Sequence, residues 1–234
     1  MSRHVIVTGA SRGIGAAIAE WFIAHGDHVV ALSRSGDAPS GCARSVAVDV
    51  ADSASVNDAV KSALAEFGPV EVAVMNAGVT RDGLAMRMSD DQWREVLSTD
   101  LDGAFYGARA TMASMVRQRA GSIVFIGSIS PFVGVPGQAN YAAAKGGLVG
   151  LARALAKEVA SRGVTVNVVA PGLIDTDMTS ALGAAKETMA AMIPMDRIGQ
   201  PSDIAGVVGF LASNEARYIT GAVIAVDGGL SMGL

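Results

Sequence analysis

The sequence predicts an α/β fold in which a doubly wound, seven-stranded parallel sheet lies between two layers of helices. Short apolar or β-branched runs recur seven times, and most are continuous, as expected for strands buried on both faces of a parallel sheet. Longer segments with helical periodicity separate the runs, which is typical of βαβ units. The predicted strands are Val5–Val7, Val29–Leu32, Val46–Val50, Val70–Met75, Ile123–Ile126, Val164–Val169 and Ala222–Val226.

The segments between these strands carry apolar residues at helical spacing. The predicted helices include Gly15–Ala24, Ser53–Phe67, Trp93–Arg119, Tyr141–Ala160 and Ser202–Ala212. No linker, repeat or low-complexity tract divides the 234 residues. We therefore expect one three-layer α/β/α domain that spans residues 1–234.

The composition excludes several classes of protein. No uninterrupted apolar run approaches the roughly 18 residues of a spanning helix, and the N-terminus enters a strand without a signal-peptide pattern. With a single cysteine, Cys42, this favours a cytoplasmic protein that makes no membrane contact. The net charge of −4, without a basic stripe, argues against a nucleic-acid partner. Only three histidines are present and no Cys/His cluster exists, so we expect no metal site.

A glycine-rich turn follows the first predicted strand and opens the first helix. Its spacing, G-x-x-x-G-x-G, lets backbone N–H groups approach a pyrophosphate at a helix N-terminus, where the helix dipole favours anions. This context predicts a Rossmann-type nucleotide site, although glycines also serve plain tight turns. The candidate cofactor-binding residues of the turn are Gly9, Ser11, Arg12, Gly13, Ile14 and Gly15.

The end of the second predicted strand indicates which dinucleotide is bound. An NAD site usually has an acidic side chain there, on the ribose 2′-hydroxyl, whereas this chain has Ser33 and Arg34. Arg12 in the glycine turn can reach the same side. Two guanidinium groups suit a 2′-phosphate, so NADP(H) is favoured. The alternative is that both arginines are ordinary surface residues.

The central stretch, Ser122–Gly147, carries the candidate chemistry. Tyr141 and Lys145 are four residues apart in a predicted helix, so they share one face. A nearby ammonium favours the phenolate and is expected to lower the pKa of Tyr141, which makes it a usable general acid. Ser128, at the end of a strand, can hydrogen-bond a carbonyl oxygen. Taken alone, Y-x-x-x-K is also common as mere amphipathic patterning.

Polar residues follow two further strands at the edge where ligands bind in open α/β sheets. Asp49 and Val50 end the third predicted strand, and Asn76-Ala77-Gly78 follow the fourth. An isolated Asp at a strand end is usually a cap or turn residue, so neither segment is decisive alone.

Together these motifs resemble the short-chain dehydrogenase/reductases over essentially the whole chain. The resemblance rests on the Thr8–Gly15 turn, on N-A-G at Asn76–Gly78, on Ser128 with Tyr141 and Lys145, and on Pro171-Gly172. Several stretches are similar to bacterial 3-oxoacyl-[acyl-carrier-protein] reductases, in particular the actinobacterial, mycolic-acid-associated form. Those stretches are Arg81–Met88, Gly137–Lys145, Val164–Met178 and Tyr218–Gly229.

The resemblance implies a role for each matching residue. Tyr141 would protonate the substrate carbonyl as hydride arrives from the nicotinamide, Lys145 would lower the Tyr141 pKa and hold the ribose hydroxyls, and Ser128 would orient the carbonyl. Asp49 and Val50 would contact the adenine, and Asn76 and Gly78 the adenosine ribose. The cofactor-binding residues after the sixth strand would be Pro171, Gly172, Ile174 and Thr176.

The resemblance also implies partners. Arg119 and Arg162 fall where relatives bind the acyl carrier protein, although exposed arginines are otherwise ordinary surface. Members usually form D2 homotetramers, with the long helices in one interface. The segment Ser180–Pro194 is similar to the mobile substrate lid, and Pro131–Gly137 to a variable substrate loop, so the sequence leaves the substrate partly open.

One departure concerns the catalytic tetrad. The family usually has an asparagine in the helix after Trp93, acting largely through its main-chain carbonyl, and the aligned residue here is Asp100. If its carboxylate points at Lys145, it would raise the lysine pKa and partly cancel the help given to Tyr141. We expect an active enzyme with an altered pH profile, and an unchanged profile in Asp100→Asn would refute this.

Three functions follow from these observations. The leading hypothesis is NADPH-dependent reduction of a 3-oxoacyl thioester, bound to acyl carrier protein, to the 3-hydroxyacyl thioester in fatty-acid elongation. The alternatives are reduction of another ketone, such as acetoacetyl-CoA, and a non-catalytic nucleotide-binding scaffold. Asp100 alone favours the scaffold, whereas intact Ser128, Tyr141 and Lys145 argue against it.

Overall fold

A computed structural model describes residues 2–177 and 185–233 of the chain. It contains a seven-stranded sheet in which every neighbouring pair of strands is parallel, in the order β3-β2-β1-β4-β5-β6-β7. The strands are β1 (His4–Thr8), β2 (His28–Ser33), β3 (Arg44–Ala47), β4 (Val72–Met75), β5 (Gly121–Ile126), β6 (Val164–Pro171) and β7 (Val223–Val226).

Helices of very different length connect the strands. The α-helices are α1 (Gly13–Ala24), α2 (Ser53–Phe67), α3 (Asp90–Leu97), α4 (Gly103–Gln118), α5 (Ser130–Val133), α6 (Ala139–Val159), α7 (Ala185–Ala190) and α8 (Pro201–Leu211). Short 3₁₀ turns lie at Ala85–Arg87, Ala160–Arg162 and Asn214–Ala216, and a π-helical segment at Ser98–Asp102 joins α3 to α4. Within the described ranges, no helix is both long and apolar enough to cross a membrane.

The sheet is buried on both faces, which explains the continuous apolar runs. All five residues of β1 and all eight of β6 are buried. On one face, side chains such as Ile6, Phe125 and Val166 pack with the buried residues of α2, α4 and α6. On the other face, alternate strand residues such as Val5 and Val7 pack with α1 and α8. These two cores confirm the predicted three-layer α/β/α, doubly wound fold.

The connections leave β1 in opposite directions: β2 and β3 lie on one side of it, and β4 to β7 on the other. Such a reversal opens a crevice at the carboxyl ends of the strands, between β1 and β4. Three predicted site segments begin at this edge. They are the glycine-rich turn after β1, the segment after β4 and the residues after β5. The fold therefore gathers the predicted site residues that follow these strands.

Three predictions about the elements were wrong in detail. The third strand was expected at Val46–Val50, but its ladder with β2 ends where Ser33 pairs with Ala47, and Asp49 then accepts a backbone hydrogen bond in a turn. The single helix expected at Trp93–Arg119 begins at Asp90 and is interrupted by the π-helical segment. The loop expected at Pro131–Gly137 starts with part of α5.

Candidate active site

The glycine-rich turn passes closely under the end of β4. Gly9 has φ +66°, and a Cβ there would lie 2.8 Å from Ala77 Cα. A Cβ on Gly15 would overlap the Gly9 carbonyl oxygen and the Asn76 side-chain amide. Only glycine fits either position, and the turn therefore keeps its backbone open at the N-terminus of α1. This cradle has the form that a pyrophosphate needs.

The segment Asn76-Ala77-Gly78 braces this turn. The Asn76 side-chain amide donates to the Thr8 and Gly9 carbonyl oxygens at 3.0 and 3.1 Å. The Thr8 hydroxyl in turn accepts from the Asn76 and Ala77 backbone N–H groups at 2.9 and 3.1 Å. In this structure the Asn76 side chain thus links the ends of β1 and β4, which is a structural task in addition to the ribose contact expected of it.

Arg12 and Arg34 are both exposed at the same edge of the sheet. The Arg12 guanidinium lies 3.6 Å from the Asp177 carboxylate, with both side chains about three-quarters exposed. Ser33 is buried, and its hydroxyl donates to the Asp37 carbonyl oxygen at 2.8 Å. Both guanidinium groups are therefore accessible to a phosphate, and no described residue places a buried carboxylate at the end of β2.

The remaining residues expected at the cofactor border the same crevice. Asp49 is exposed and accepts the Ala51 N–H at 3.0 Å, whereas Val50 is buried against Gly103. Pro171 ends β6, and the Gly172 N–H bonds to the Val226 carbonyl oxygen. Ile174 forms a β-bridge with Gly199, and Thr176 lies against Gly13 of the glycine turn.

Ser128, Tyr141 and Lys145 lie near the carboxyl end of β5. Ser128 follows this strand by two residues, and Tyr141 and Lys145 lie one turn apart at the start of α6. The Lys145 ammonium is 5.6 Å from the centre of the Tyr141 ring and donates to the Ile126 carbonyl oxygen at 3.1 Å. Lys145 is buried, while Tyr141 and Ser128 keep part of their surface accessible. The structure brings together the three side chains that the sequence singled out.

Asp100 joins this group directly. It occupies the π-helical segment and is fully buried. Its carboxylate lies 3.2 Å from the Lys145 ammonium and accepts the Val79 backbone N–H at 2.8 Å. Gly78 leaves room for this pair, because a Cβ there would lie 2.7 Å from the carboxylate. The Asp100 side chain thus points at Lys145, which is the condition under which the sequence predicts a raised lysine pKa.

The pKa of Tyr141 differs from the sequence-based expectation. Burial raises it, and the Asp100 and Asp82 carboxylates act in the same direction. Lys145 and a hydrogen bond with Ser128 lower it, as expected, but they do not outweigh the other effects. The net pKa of Tyr141 therefore lies above its ordinary value in this structure, and the predicted net decrease was wrong.

Several residues near the site were not found from the sequence. Asn140 is fully buried, donates to the Arg81 carbonyl oxygen at 3.0 Å and accepts the Tyr141 N–H at 2.8 Å. Gln138 contacts both the Ser130 hydroxyl and the Asp82 carboxylate. The available signals were their position just before Tyr141 and the similarity of the Gly137–Lys145 stretch to bacterial reductases, neither of which assigns a contact to either side chain.

Arg119 and Arg162 lie far from this group. Arg119 follows α4 and donates to the Ser161 carbonyl oxygen at 3.0 Å, and Arg162 follows α6, so both are at the amino-end edge of the sheet. A helix rises about 1.5 Å per residue, so α6, which carries Tyr141 near its start, is about 30 Å long. Within one chain, these arginines and Tyr141 are at opposite edges.

The expected lid at Ser180–Pro194 falls partly outside the described residues, which resume with α7. Beyond α7, Met192 and Met195 are largely exposed. Among the residues that the structure does describe, no group of three or more His, Cys, Asp or Glu side chains could hold a metal ion.

Comparison with known proteins agrees with this geometry. A family model described as enoyl-(acyl carrier protein) reductase matches residues 9–231. The 3-oxoacyl-[acyl-carrier-protein] reductase FabG of Salmonella typhimurium is 46% identical over 97% of this chain and 96% of its own. The 3-oxoacyl-[acyl-carrier-protein] reductase MabA of Mycobacterium tuberculosis is 48% identical over 100% of this chain and 94% of its own. The chain therefore belongs to the short-chain dehydrogenase/reductase family.

Proposed function

We propose that this chain reduces a 3-oxoacyl thioester, carried by acyl carrier protein, to the 3-hydroxyacyl thioester in fatty-acid elongation, with NADPH as the reductant. The observation that carries the proposal is the grouping of Tyr141, Lys145 and Ser128 at the same sheet edge as the glycine cradle. The identity with curated 3-oxoacyl-[acyl-carrier-protein] reductases over almost the full chain supports this substrate class.

A dinucleotide fits the residues present. The closely packed Gly9 and Gly15 leave the backbone of the turn accessible, and Arg12 and Arg34 offer guanidinium groups for a 2′-phosphate. When bound, the nicotinamide supplies hydride to the carbonyl carbon. The residues expected to hold it are those of the glycine turn, Asn76, Lys145 and the segment that ends at Thr176.

The proton comes from the protein. As the carbonyl oxygen gains negative charge, the Tyr141 hydroxyl donates its proton to that oxygen, and the Ser128 hydroxyl stabilises it by a hydrogen bond. Lys145 favours the resulting phenolate by its charge. An ordinary tyrosine is already protonated at neutral pH, and burial, which raises the pKa of Tyr141, leaves the hydroxyl in the proton-donating form that reduction requires.

Carrier-protein docking at Arg119 and Arg162 needs a second copy of the chain. These arginines lie about 30 Å from Tyr141 along α6, at the other edge of the sheet. A carrier bound to them would deliver its acyl group to the active site of another subunit in a homotetramer. Replacing both by glutamate would then raise KM for the carrier-bound substrate at least tenfold, leaving that for acetoacetyl-CoA unchanged. Lys61→Glu, on α2, is the matched control.

The experiment that tests the function supplies purified protein with a 3-oxoacyl-[acyl carrier protein], acetoacetyl-CoA or an unrelated cyclic ketone. The product is identified by mass spectrometry after incubation with NADPH deuterated at the transferable position. We expect deuterium at carbon 3 of the hydroxyacyl chain, fastest with the carrier-bound substrate. Deuterium transfer only to the unrelated ketone would assign another carbonyl substrate, and NADPH binding without transfer to any ketone would indicate a non-catalytic scaffold.

A further inference from the structure

A chain of hydrogen bonds leads from Ser128 to the exposed carboxylate of Asp82. The Ser128 hydroxyl donates to Ser130 Oγ at 3.0 Å, and Ser130 Oγ donates to Gln138 Oε1 at 3.2 Å. Gln138 Nε2 then donates to Asp82 Oδ2 at 3.1 Å. The Ser130 backbone N–H also donates to Ser128 Oγ, at 3.1 Å. The reaction proposed above uses only the first of these residues.

The carboxylate determines the direction of every bond in this chain. An ionised Asp82 can only accept hydrogen bonds, so the NH₂ group of Gln138 must face it. Gln138 therefore presents its carbonyl oxygen to Ser130, and the buried Ser130 hydroxyl must donate to it. Since Ser130 has given away its only hydroxyl hydrogen, its oxygen can act only as an acceptor toward Ser128.

The backbone keeps these side chains in register. The Gly83 N–H donates to the Gly137 carbonyl oxygen at 2.8 Å, so the residues next to Asp82 and Gln138 are joined directly. One turn further on, Asn140 binds the Arg81 carbonyl oxygen. The Asp82 and Gln138 side chains are thus supported on both sides by contacts between the same two segments.

This direction determines what the single hydroxyl hydrogen of Ser128 does. Three acceptors compete for it: Ser130 Oγ, the Tyr141 phenolate and the substrate carbonyl oxygen. A Ser130 oxygen that itself donates to a polarised amide is a stronger acceptor, because successive hydrogen bonds reinforce each other. The more firmly Ser130 holds the hydrogen, the less Ser128 stabilises the phenolate.

We propose that Gln138, oriented by Asp82, is a positioning residue that holds the Ser128 hydrogen on Ser130 until the substrate carbonyl oxygen takes it, and thereby keeps Tyr141 in its protonated, proton-donating form. The inference deepens the proposed reduction and rests on it. In Gln138→Ala, the Ser130 hydroxyl can instead donate to Ser128, whose own hydrogen then turns toward Tyr141. The other charged groups acting on Tyr141 are Lys145, Asp100 and Asp82 itself.

The pH dependence of reduction tests this proposal. Gaining or losing one hydrogen bond to a charged group shifts a pKa by about one unit. The pH at which kcat/KM falls on the basic side should therefore be about one unit lower in Gln138→Ala than in the wild type. Gln118→Ala is the matched control, because Gln118 makes two similar bonds to the Val70 and Ala120 carbonyl oxygens away from the site.

An exchange variant separates direction from mere loss of contact. In Asp82→Asn/Gln138→Glu, the asparagine can donate to the glutamate and the glutamate accepts from Ser130, so the original direction is restored. In this exchange variant, kcat/KM should fall at the same basic pH as in the wild type or at a higher pH. Asp82→Asn alone leaves the Gln138 amide able to flip. The basic pH at which kcat/KM of Asp82→Asn falls should therefore lie between the values for Gln138→Ala and the wild type.

The proposal is overturned if kcat/KM of Gln138→Ala falls at the same basic pH as that of the wild type, or if it is reduced equally at every pH. It is also overturned if the exchange variant has the same pH profile as Gln138→Ala. If the wild type reduces no thioester, the proposed function fails instead. The effect of the hydrogen-bond chain from Ser128 to Asp82 is then tested without substrate. The chain has three tyrosines, so a Tyr106→Phe/Tyr218→Phe background leaves Tyr141 as the only tyrosinate signal. Adding Gln138→Ala to this background should lower the pH at which half of Tyr141 is ionised. An unchanged midpoint would refute the proposed role of Gln138.

Discussion

The Asp100 carboxylate and the Lys145 ammonium form a buried ion pair, with 3.2 Å between the charged atoms. Burial alone would lower the pKa of Lys145, but the charges of Asp100 and Tyr141 outweigh it and raise this pKa. Burial raises the pKa of Asp100 more than Lys145 and the Val79 N–H lower it. The lysine proposed to assist Tyr141 is therefore shared with a carboxylate at a position where the family usually has an amide.

This pair predicts the effect of Asp100→Asn on the pH profile. The carboxylate is one of the causes of the raised Tyr141 pKa, so its removal lowers that pKa. Reduction requires protonated Tyr141, and the rate should therefore fall at a lower pH than in the wild type. The measurement is kcat as a function of pH. Asp102→Asn changes an exposed carboxylate of the same π-helical segment and should leave the curve in place.

Breaking the pair from the other side should cost stability. Lys145→Met leaves the Asp100 carboxylate buried without its cation, and we expect a loss of about 3 kcal/mol in the free energy of unfolding at pH 7. The loss should shrink as the pH falls, because a protonated Asp100 carries no charge to bury. Chemical denaturation at several pH values measures both effects.

The double variant Asp100→Asn/Lys145→Met provides the control for this stability loss. It should regain most of the stability but none of the activity, because the unpaired charge is gone while Lys145 is still missing. If Lys145→Met and the double variant had equal free energies of unfolding, the charge of Asp100 would not be what destabilises Lys145→Met.

The glycine turn predicts a contrast between two glycines. Gly15→Ala places a methyl group on the Gly9 carbonyl and the Asn76 amide, and should weaken NADPH binding at least tenfold by forcing the turn open. Gly206→Ala, in α8, meets no atom within 4 Å and should stabilise the protein by about 0.5 kcal/mol. Calorimetric titration with NADPH measures the first effect and thermal unfolding the second.

Cofactor selectivity should depend on Arg12 and Arg34. Each exposed guanidinium that contacts a 2′-phosphate is worth about one factor of ten in affinity. Arg12→Ala and Arg34→Ala should therefore each raise KM for NADPH about tenfold and leave KM for NADH unchanged. Arg94→Ala, in which an exposed arginine loses its pairing with Asp90, is the control. A parallel change for both cofactors would instead indicate a general disturbance of the turn.

The fold could be predicted because the sheet is buried on both faces. Its continuous apolar runs stand out from the helical segments, and all seven predicted strands overlap the observed ones, with ends that differ by a few residues. The end of β3 could not be predicted, since Val48 and Val50 remain buried after the strand has ended. An apolar residue in the sequence indicates burial, but it does not show whether the residue still pairs with β2. The end of β3 is set by the end of that pairing.

The site could be predicted only in part for a similar reason. Spacing along one helix determines that Tyr141 and Lys145 share a face, so this pair was accessible from the sequence. The contact between Asp100 and Lys145 depends on the π-helical segment at Ser98–Asp102, which changes the direction of side chains within an otherwise regular helical pattern. Burial of Tyr141, which raises its pKa, is a tertiary property that no spacing reveals.

The reductase activity is measured as the initial rate of NADPH oxidation, and separately of NADH oxidation, with acetoacetyl-CoA between pH 6 and 9, for the wild type and Tyr141→Phe. If the chain is an NADPH-dependent reductase with Tyr141 as its proton donor, we expect clear turnover with NADPH, much slower turnover with NADH, and loss of at least a hundredfold in Tyr141→Phe. Tight NADPH binding without turnover in the wild type, or full activity in Tyr141→Phe, would contradict this proposal.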